Sequence, residues 1–226
     1  MEHYINNLLF TYFPHISMAV FWFGLITRFV KTSRTIQAQS NQFLAEDGLR
    51  WGSNFFHYGI ILVFFGHFSG LLTPEKWYHL VMTTEVKRIL AVSLGSVFGG
   101  MTLIGIIILI VRRFRNERIR INSSPQDYFI IFLLLFEVVL GMGSISRTIV
   151  SPVENYAALG EWAQMVVTFQ PNAGAVLADL SIVYKLHIFV GMLIFIIFPY
   201  TKLMHILVVP LQYFIRTGYQ LVRKSQ

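Results

Sequence analysis

The sequence predicts an all-α integral membrane protein, a single bundle of five transmembrane helices. Hydrophobic residues make up 55% of the 226 residues and charged residues 13%, and the mean hydropathy is +0.60. Soluble domains of this size rarely have such a composition. A helix needs about 20 apolar residues to cross a hydrocarbon core about 30 Å thick. Five stretches meet or approach that length: residues 4–27, 52–72, 89–111, 128–149 and 181–209.

The first of these stretches does not resemble a cleaved signal peptide. Residues 1–7 contain Glu2 and no basic residue, and the apolar stretch is long and lacks a small-residue cleavage pattern. We therefore expect it to remain as the first span.

The charged residues predict the topology. Of the 18 basic residues, 13 fall in the connector after the first span, the connector after the third span, and the C-terminal segment from Lys202 onward. The positive-inside rule places these segments in the cytoplasm, so they are not a nucleic-acid footprint. With five spans, the N-terminus is then outside and the C-terminus inside. We expect one domain over residues 1–226, with a cytoplasmic tail at 210–226.

The outer connector, residues 151–179, is long enough to have structure of its own. Its stretch GEWAQMVVTF mixes helix formers with apolar residues and predicts a short helix lying on the outer surface.

The absence of cysteine limits the redox chemistry that the chain can support. With no cysteine in the sequence, disulfides, thiolate metal sites and iron-sulfur clusters of the usual kind are excluded. Any redox centre in this chain must be held by other ligands.

Four of the seven histidines fall in only two predicted spans. His67 and His187 are each about five residues from the outer end of their helix, while His57 and His205 are near the inner end. The spacings disagree, because ten residues rise about 15 Å and eighteen about 27 Å. A kink at Pro199 would absorb much of the difference. Eighteen residues are also five whole turns, which places His187 and His205 on one face of a continuous helix.

Ionisable residues within a membrane span are functional candidates, because a buried polar group without a partner is costly. Two histidine pairs at two depths favour two porphyrins, each ligated by one imidazole from each helix. Gly66 and Gly70 would leave room beside His67 for a flat group. Two alternatives stay open: a divalent-metal or proton-relay cluster of histidines, and glycines that only let helices pack closely.

Several motifs add a family resemblance that covers nearly the whole chain. These are SNFFHYGI, FFGHFSGLLTP, EVKRIL, GEWAQMVVTF, YKLHIFVGM and FPYTKLMHILVVPLQYF. They resemble the cytochrome b (gamma) subunit of membrane-bound respiratory nitrate reductase. The resemblance implies that His67 and His187 ligate an outer haem b, and that His57 and His205 ligate an inner haem b.

The resemblance also implies a reaction, partners and a location. Quinol would be oxidised beside the outer haem, and electrons would pass inward to an iron-sulfur (beta) subunit and a molybdenum (alpha) subunit that reduces nitrate. The location implied is the cytoplasmic membrane of a bacterium or archaeon.

Four further residues are weaker candidates. Lys87 matches the family position implicated in the quinol pocket, and Gly66 could line the same pocket, although an interfacial lysine that snorkels is the plainer interpretation. Arg112 and Arg113 are candidates for pairing with propionates of the inner haem, although positive-inside topology explains them equally well.

Two buried polar residues have no role in the family pattern. Glu137 is in the middle of the fourth span, and we expect a neutral, hydrogen-bonded interior acid in preference to a proton path. His15, halfway along the first span, is expected to be a structural ring bonded to a carbonyl.

Two rival functions remain at this stage. The same scaffold could serve another respiratory complex, such as a formate, hydrogenase or sulfur-compound system. A haem-free transporter or metal-handling protein could use the four histidines for ions. The basic inner loops and the tail PLQYFIRTGYQLVRK are the natural docking surface for soluble subunits.

Overall fold

Five long apolar helices form the protein, as predicted. The computed structural model describes residues 2–32 and 48–207. The predicted tail at 210–226 and the end of the predicted fifth span lie outside the described residues. Within the described residues, the five spans are Tyr4–Lys31, Leu49–Leu72, Thr84–Arg115, Pro125–Val150 and Ile182–Tyr200. The second span packs on the third, the third on the fourth, the fourth on the fifth, and the fifth on the first.

The third and fourth spans begin before their predicted first residues because polar residues cap the start of each helix. The Thr83 side chain accepts a hydrogen bond from the Val86 backbone at the start of the third span. Ser124 and Asp127 form a reciprocal capping box before the fourth span, with Pro125 in its first turn. These residues satisfy backbone N–H groups that a helix leaves without partners. Hydropathy does not register them, so the predicted ends were too short.

The fifth span is broken at its inner end. Its α-helix covers Ile182–Ile197, and 3₁₀ turns follow at Phe198–Tyr200 and Lys202–Met204. Pro199 cannot donate the backbone bond that would continue an α-helix. The expected kink at Pro199 is confirmed, but a continuous helix over 181–209 is wrong. His187 and His205 are therefore not related by whole helical turns.

The outer connector contains the predicted helix, which is longer and more buried than expected. It covers Val153–Val167, hereafter the outer helix, and a 3₁₀ turn follows at Ala173–Leu177. Trp162 is 5% exposed and packs with Phe10 and Leu177 in the main hydrophobic cluster. Its indole N–H donates to the Phe10 carbonyl at 2.8 Å. One face of the outer helix is therefore part of the hydrophobic core.

The second and third spans cross at very short range. A Cβ placed on Gly59 would stand 2.7 Å from the Thr102 backbone nitrogen and 2.8 Å from the Phe98 carbonyl. A Cβ on Gly105 would stand 2.8 Å from the Phe56 Cα. Only glycine fits at these positions, as at other close helix crossings in membranes. The crossing fixes the helix that carries His57 and His67.

Candidate cofactor site

The histidines of the second and fifth spans meet in two pairs, at the two depths that the sequence predicts. We call the end of the bundle with His67 and His187 the outer end, and the end with His57 and His205 the inner end, following the predicted topology. The ring centroids of His67 and His187 are 5.9 Å apart. Those of His57 and His205 are 6.1 Å apart. Residues 120 or more positions apart in the chain therefore face each other as ring pairs.

Backbone carbonyls fix the tautomer of three of these four rings. The Nδ1–H of His67 donates to the Val63 carbonyl at 2.8 Å, and that of His57 to the Ser53 carbonyl at 2.7 Å. His205 donates to the Lys202 carbonyl at 2.5 Å. Because a carbonyl can only accept, Nδ1 carries the proton and Nε2 keeps its lone pair. Metal-ligating histidines are usually held in this way.

The ring spacing fits a metal ion held between two imidazoles. An imidazole nitrogen binds a first-row metal at about 2 Å and lies about 1 Å from its own ring centroid, so two axial rings stand about 6 Å apart. Among residues 2–32 and 48–207, no group of three or more histidine, aspartate or glutamate side chains is placed to hold a metal ion. A structural zinc site uses four protein ligands, whereas a haem with two axial histidines needs only two. The donor set therefore fits haem.

Open space lies beside the outer pair. A Cβ placed on Gly66 or on Gly70 would meet no atom of residues 2–32 and 48–207 within 4 Å. Within these residues, the interpretation of glycines as helix-packing residues therefore does not apply to Gly66 and Gly70. It holds for Gly99 of the third span, where a Cβ would stand 2.9 Å from the Met142 sulfur. The space at Gly66 and Gly70 is what a flat group beside His67 would need.

A cluster of charged side chains lies beside the segment that carries His205 of the inner pair. The Lys202 ammonium lies 2.7 Å from Asp127 Oδ1, and Arg113 lies 3.9 Å from Asp127 Oδ2. The Asp127 side chain is only 8% exposed. Gln126 also donates to the Tyr200 carbonyl at 3.0 Å. The start of the fourth span thus holds the 3₁₀ segment that presents His205.

The two arginines proposed for propionates are at the inner end, in the last turn of the third span. Arg113 packs over the Tyr128 ring, with 5.6 Å from its guanidinium carbon to the ring centroid. Its Nη1, the nitrogen 3.9 Å from Asp127 Oδ2, is buried and makes no hydrogen bond to any residue that the structure describes. A buried donor of this kind fits an anionic group such as a propionate. Arg112 is half-buried beside it.

Lys87 lies over an aromatic ring at the outer end. Its ammonium is 3.9 Å from the Tyr78 ring centroid. The Tyr78 hydroxyl lies 3.1 Å from that of Thr84, which also contacts His79 at 2.9 Å. Burial, with a smaller contribution from Tyr78, raises the pKa of Tyr156 in the outer helix to about 12. Hydrogen-bonding groups thus collect around Lys87 at the outer end.

Sequence reasoning placed Glu137 inside the bundle but missed its neighbour. Glu137 Oε1 lies 3.0 Å from Nδ1 of His187, the one histidine of the four without a carbonyl partner. His15 behaves as predicted: its ring nitrogens lie 2.6 Å from the Thr11 carbonyl and 2.9 Å from the Val166 carbonyl. A carboxyl group more than three turns from either end of an apolar span was the signal that could have pointed to the Glu137 contact.

Comparison with known proteins agrees with this architecture. The family model for the nitrate reductase gamma subunit matches residues 6–225. The gamma chain of respiratory nitrate reductase 2 from Escherichia coli is 37% identical over 227 residues, covering 100% of both chains. The nitrate reductase gamma chain of Bacillus subtilis is 32% identical, covering 97% of this chain and 98% of the relative. A more distant relative is the cytochrome b-like subunit of an Hdr-like menaquinol oxidoreductase from Archaeoglobus profundus, 28% identical over 66% of this chain and 44% of the relative.

The fold and the paired histidines define a multi-pass helical membrane protein with two facing pairs of imidazoles between its second and fifth spans. Gamma chains match it from end to end. The chain belongs to the nitrate reductase gamma subunit family. It is therefore a membrane-anchor subunit of an oxidoreductase complex, and that membership implies catalytic partner subunits.

Proposed function

We propose that this chain is a quinol-oxidising cytochrome b subunit that binds two b haems and passes electrons from the outer end of the bundle to the inner end. The observation that carries the proposal is the pair of ring spacings, 5.9 and 6.1 Å, between histidines of the second and fifth spans. Family membership supports it. The menaquinol oxidoreductase named among the relatives is a quinol enzyme with a cytochrome b-like subunit.

The four histidines would hold the metal, and the carbonyls behind His57, His67 and His205 set which nitrogen of each ring is available. His67 and His187 would ligate the outer haem, and His57 and His205 the inner haem. When bound, haem b would supply reversible one-electron transfer. Arg113, with a buried donor that makes no hydrogen bond, would neutralise a propionate of the inner haem, and Arg112 would assist.

Quinol would bind at the outer end, near Lys87 and Gly66. The ammonium of Lys87 can donate a hydrogen bond to a quinone oxygen, and the Tyr78 ring beneath it keeps it in place. The open space at Gly66 would admit the ring of the substrate. With the N-terminus outside, protons from quinol would leave on the outer side.

Moving electrons inward has an energetic consequence. An elementary charge that crosses the membrane against its potential costs about 2.3 kcal/mol per 100 mV. The inner haem or its acceptor must therefore have a higher reduction potential than the outer haem. Proton release outside combined with inward electron flow would conserve energy.

The acceptors would be an iron-sulfur (beta) subunit and a molybdenum (alpha) subunit that reduces nitrate. Exposed arginines mark the inner end of the third span and the connector that follows it, at Arg115, Arg118 and Arg120. They offer a positive surface for these subunits. The tail that was also predicted to dock lies outside the described residues. The proposed location is the cytoplasmic membrane of a bacterium or archaeon.

Haem stoichiometry and subunit composition test this function together. The complex purified from its native membrane is expected to contain two b haems per copy of this chain and a molybdenum subunit. A colourless chain, produced with ample haem, would overturn the cytochrome and favour the ion-handling rival. Two haems with formate, hydrogenase or sulfur-compound subunits, and no nitrate-reducing partner, would instead identify another respiratory complex.

A further inference from the structure

Glu137 is a buried acid in the fourth span that the proposed function does not use. Its side chain is 17% exposed, and Oε1 lies 3.0 Å from Nδ1 of His187, which is 21% exposed. Its other oxygen, Oε2, is buried and makes no hydrogen bond. Acids are rare inside membrane spans because removing them from water is costly, and those that occur face the bundle interior with a specific partner. His187 is that partner here.

Two glycines make room for this pair on the facing helices. A Cβ placed on Gly191, one turn after His187, would stand 3.1 Å from Glu137 Oε1. A Cβ placed on Gly141, one turn after Glu137, would stand 3.2 Å from Cε1 of His187. The fourth and fifth spans therefore approach closely where the carboxyl group meets the imidazole. Each helix therefore has a glycine where the side chain of the other helix approaches it.

The comparison with the other three histidines shows what the contact can do. His57, His67 and His205 each donate Nδ1–H to a backbone carbonyl three or four residues earlier. Among residues 2–32 and 48–207, Nδ1 of His187 has no hydrogen-bond partner: Glu137 Oε1 is close enough at 3.0 Å, but the two groups lack the alignment that a hydrogen bond needs. If Nε2 of His187 binds a metal, the imidazole can make only small rotations. Such a rotation can align its Nδ1–H with Glu137 Oε1. A carboxyl group behind a ligating histidine is a known way to orient the ring and strengthen it as a donor.

We propose that Glu137 is a positioning residue for the outer site, which accepts Nδ1–H of His187 and thereby aims Nε2 at the metal. The inference rests on the proposed function, because His187 needs aiming only if it is a ligand. A stronger donor favours oxidised iron, so Glu137 lowers the reduction potential of the outer haem relative to an apolar residue at this position. The inner haem, with carbonyl partners at both ligands, is unaffected.

The experiment compares Glu137→Leu and Glu137→Gln in the purified complex by haem content, redox titration and the low-spin signal in electron paramagnetic resonance. Glu137→Leu is expected to raise the potential of the outer haem and to shift its low-spin signal, or to remove that haem. The inner haem is expected to stay as in the parent. Glu137→Gln keeps an acceptor oxygen, so it is expected to retain the outer haem with a potential between those of the parent and Glu137→Leu.

Thr148→Val is the matched control. The Thr148 hydroxyl lies 2.9 Å from that of Tyr184 and joins the same two spans about one turn before His187. Its loss loosens the contact between these spans without touching His187, so the outer haem is expected to keep its parental potential and signal. Gly191→Ala gives a second test that keeps the acid, because the added Cβ displaces Oε1, and it is expected to shift the same signal.

The outcomes separate the inference from the function on which it rests. A parent complex without haem would overturn both. A parent with two haems, and an unchanged outer haem in both Glu137→Leu and Gly191→Ala, would overturn the positioning role alone. An equal shift in Thr148→Val would overturn it as well, because the effect would then come from helix packing. If Glu137→Leu fails to assemble, Glu137→Gln and Gly191→Ala decide.

Discussion

The inner and outer histidine pairs have nearly equal ring spacing but are held by different parts of the chain. At the inner pair, both rings bond to carbonyls of their own segment, and the segment with His205 is held by Asp127 through Lys202. At the outer pair, His67 follows the same local pattern, whereas His187 faces a carboxyl group from another span. Three rings are thus set by local sequence and the fourth by tertiary packing.

The largest expected effects come from removing a ligand at one level only. His67→Ala or His187→Ala should remove the outer haem and quinol oxidation together, because under the proposed function each pair would share one metal. His57→Ala or His205→Ala should remove the inner haem, while quinol can still reduce the outer one. Haem content and redox titration of the purified complex measure both. Two haems in His57→Ala would refute the pairing.

A smaller effect should come from the charge cluster at the inner end. Asp127→Asn weakens the contact with Lys202, at a cost of about 1 to 2 kcal/mol, since hydrogen bonds to charged groups are strong but Lys202 is nearly half exposed. We expect roughly tenfold weaker retention of the inner haem, with the outer haem unchanged. Glu117→Gln is the control, because Glu117 forms an exposed pair with Arg120 at 3.8 Å. Selective loss of the outer haem would contradict this account.

Gly141, which lies against the His187 ring, allows a smaller change to be tested at the outer pair. Gly141→Ala adds a Cβ 3.2 Å from the imidazole, so the ring must give way by a few tenths of an ångström. We expect both haems to remain, with a shifted low-spin signal for the outer haem. Gly100→Ala is the control, since its Cβ would meet no atom within 4 Å. An unshifted signal in Gly141→Ala would show that the ring adapts without consequence for the metal.

The smallest effect on the haems should come from Lys87. Lys87→Met removes the proposed donor to quinol while both histidine pairs stay intact, so quinol turnover should fall several-fold with full haem content. Steady-state quinol oxidation and the haem spectrum measure the two quantities. Lys76→Met, an exposed lysine of the same region, should leave turnover unchanged. Parental turnover in Lys87→Met would return Lys87 to the role of an interfacial lysine.

Hydropathy and spacing predicted the five spans and the meeting of histidines at two depths, because membrane thickness restricts where each residue of a long helix can lie. The starts of the third and fourth spans were missed because hydropathy does not detect polar capping residues such as Ser124 and Asp127. The break after Ile197 was only partly foreseen from Pro199. The contact between Glu137 and His187 depends on how two helices rotate about their axes, and that rotation is decided by small residues such as Gly141 and Gly191.

The break in the fifth span also restricts how that helix can move. Its interrupted backbone leaves carbonyls at Pro199 and Tyr200, which accept hydrogen bonds from Arg28 of the first span and Gln126 of the fourth. A displacement of the fifth helix along its own axis would break both hydrogen bonds at the same time. The inner end of the fifth span is therefore tied to both the first and the fourth span, and a displacement of that end would have to carry these two helices with it or give up both bonds.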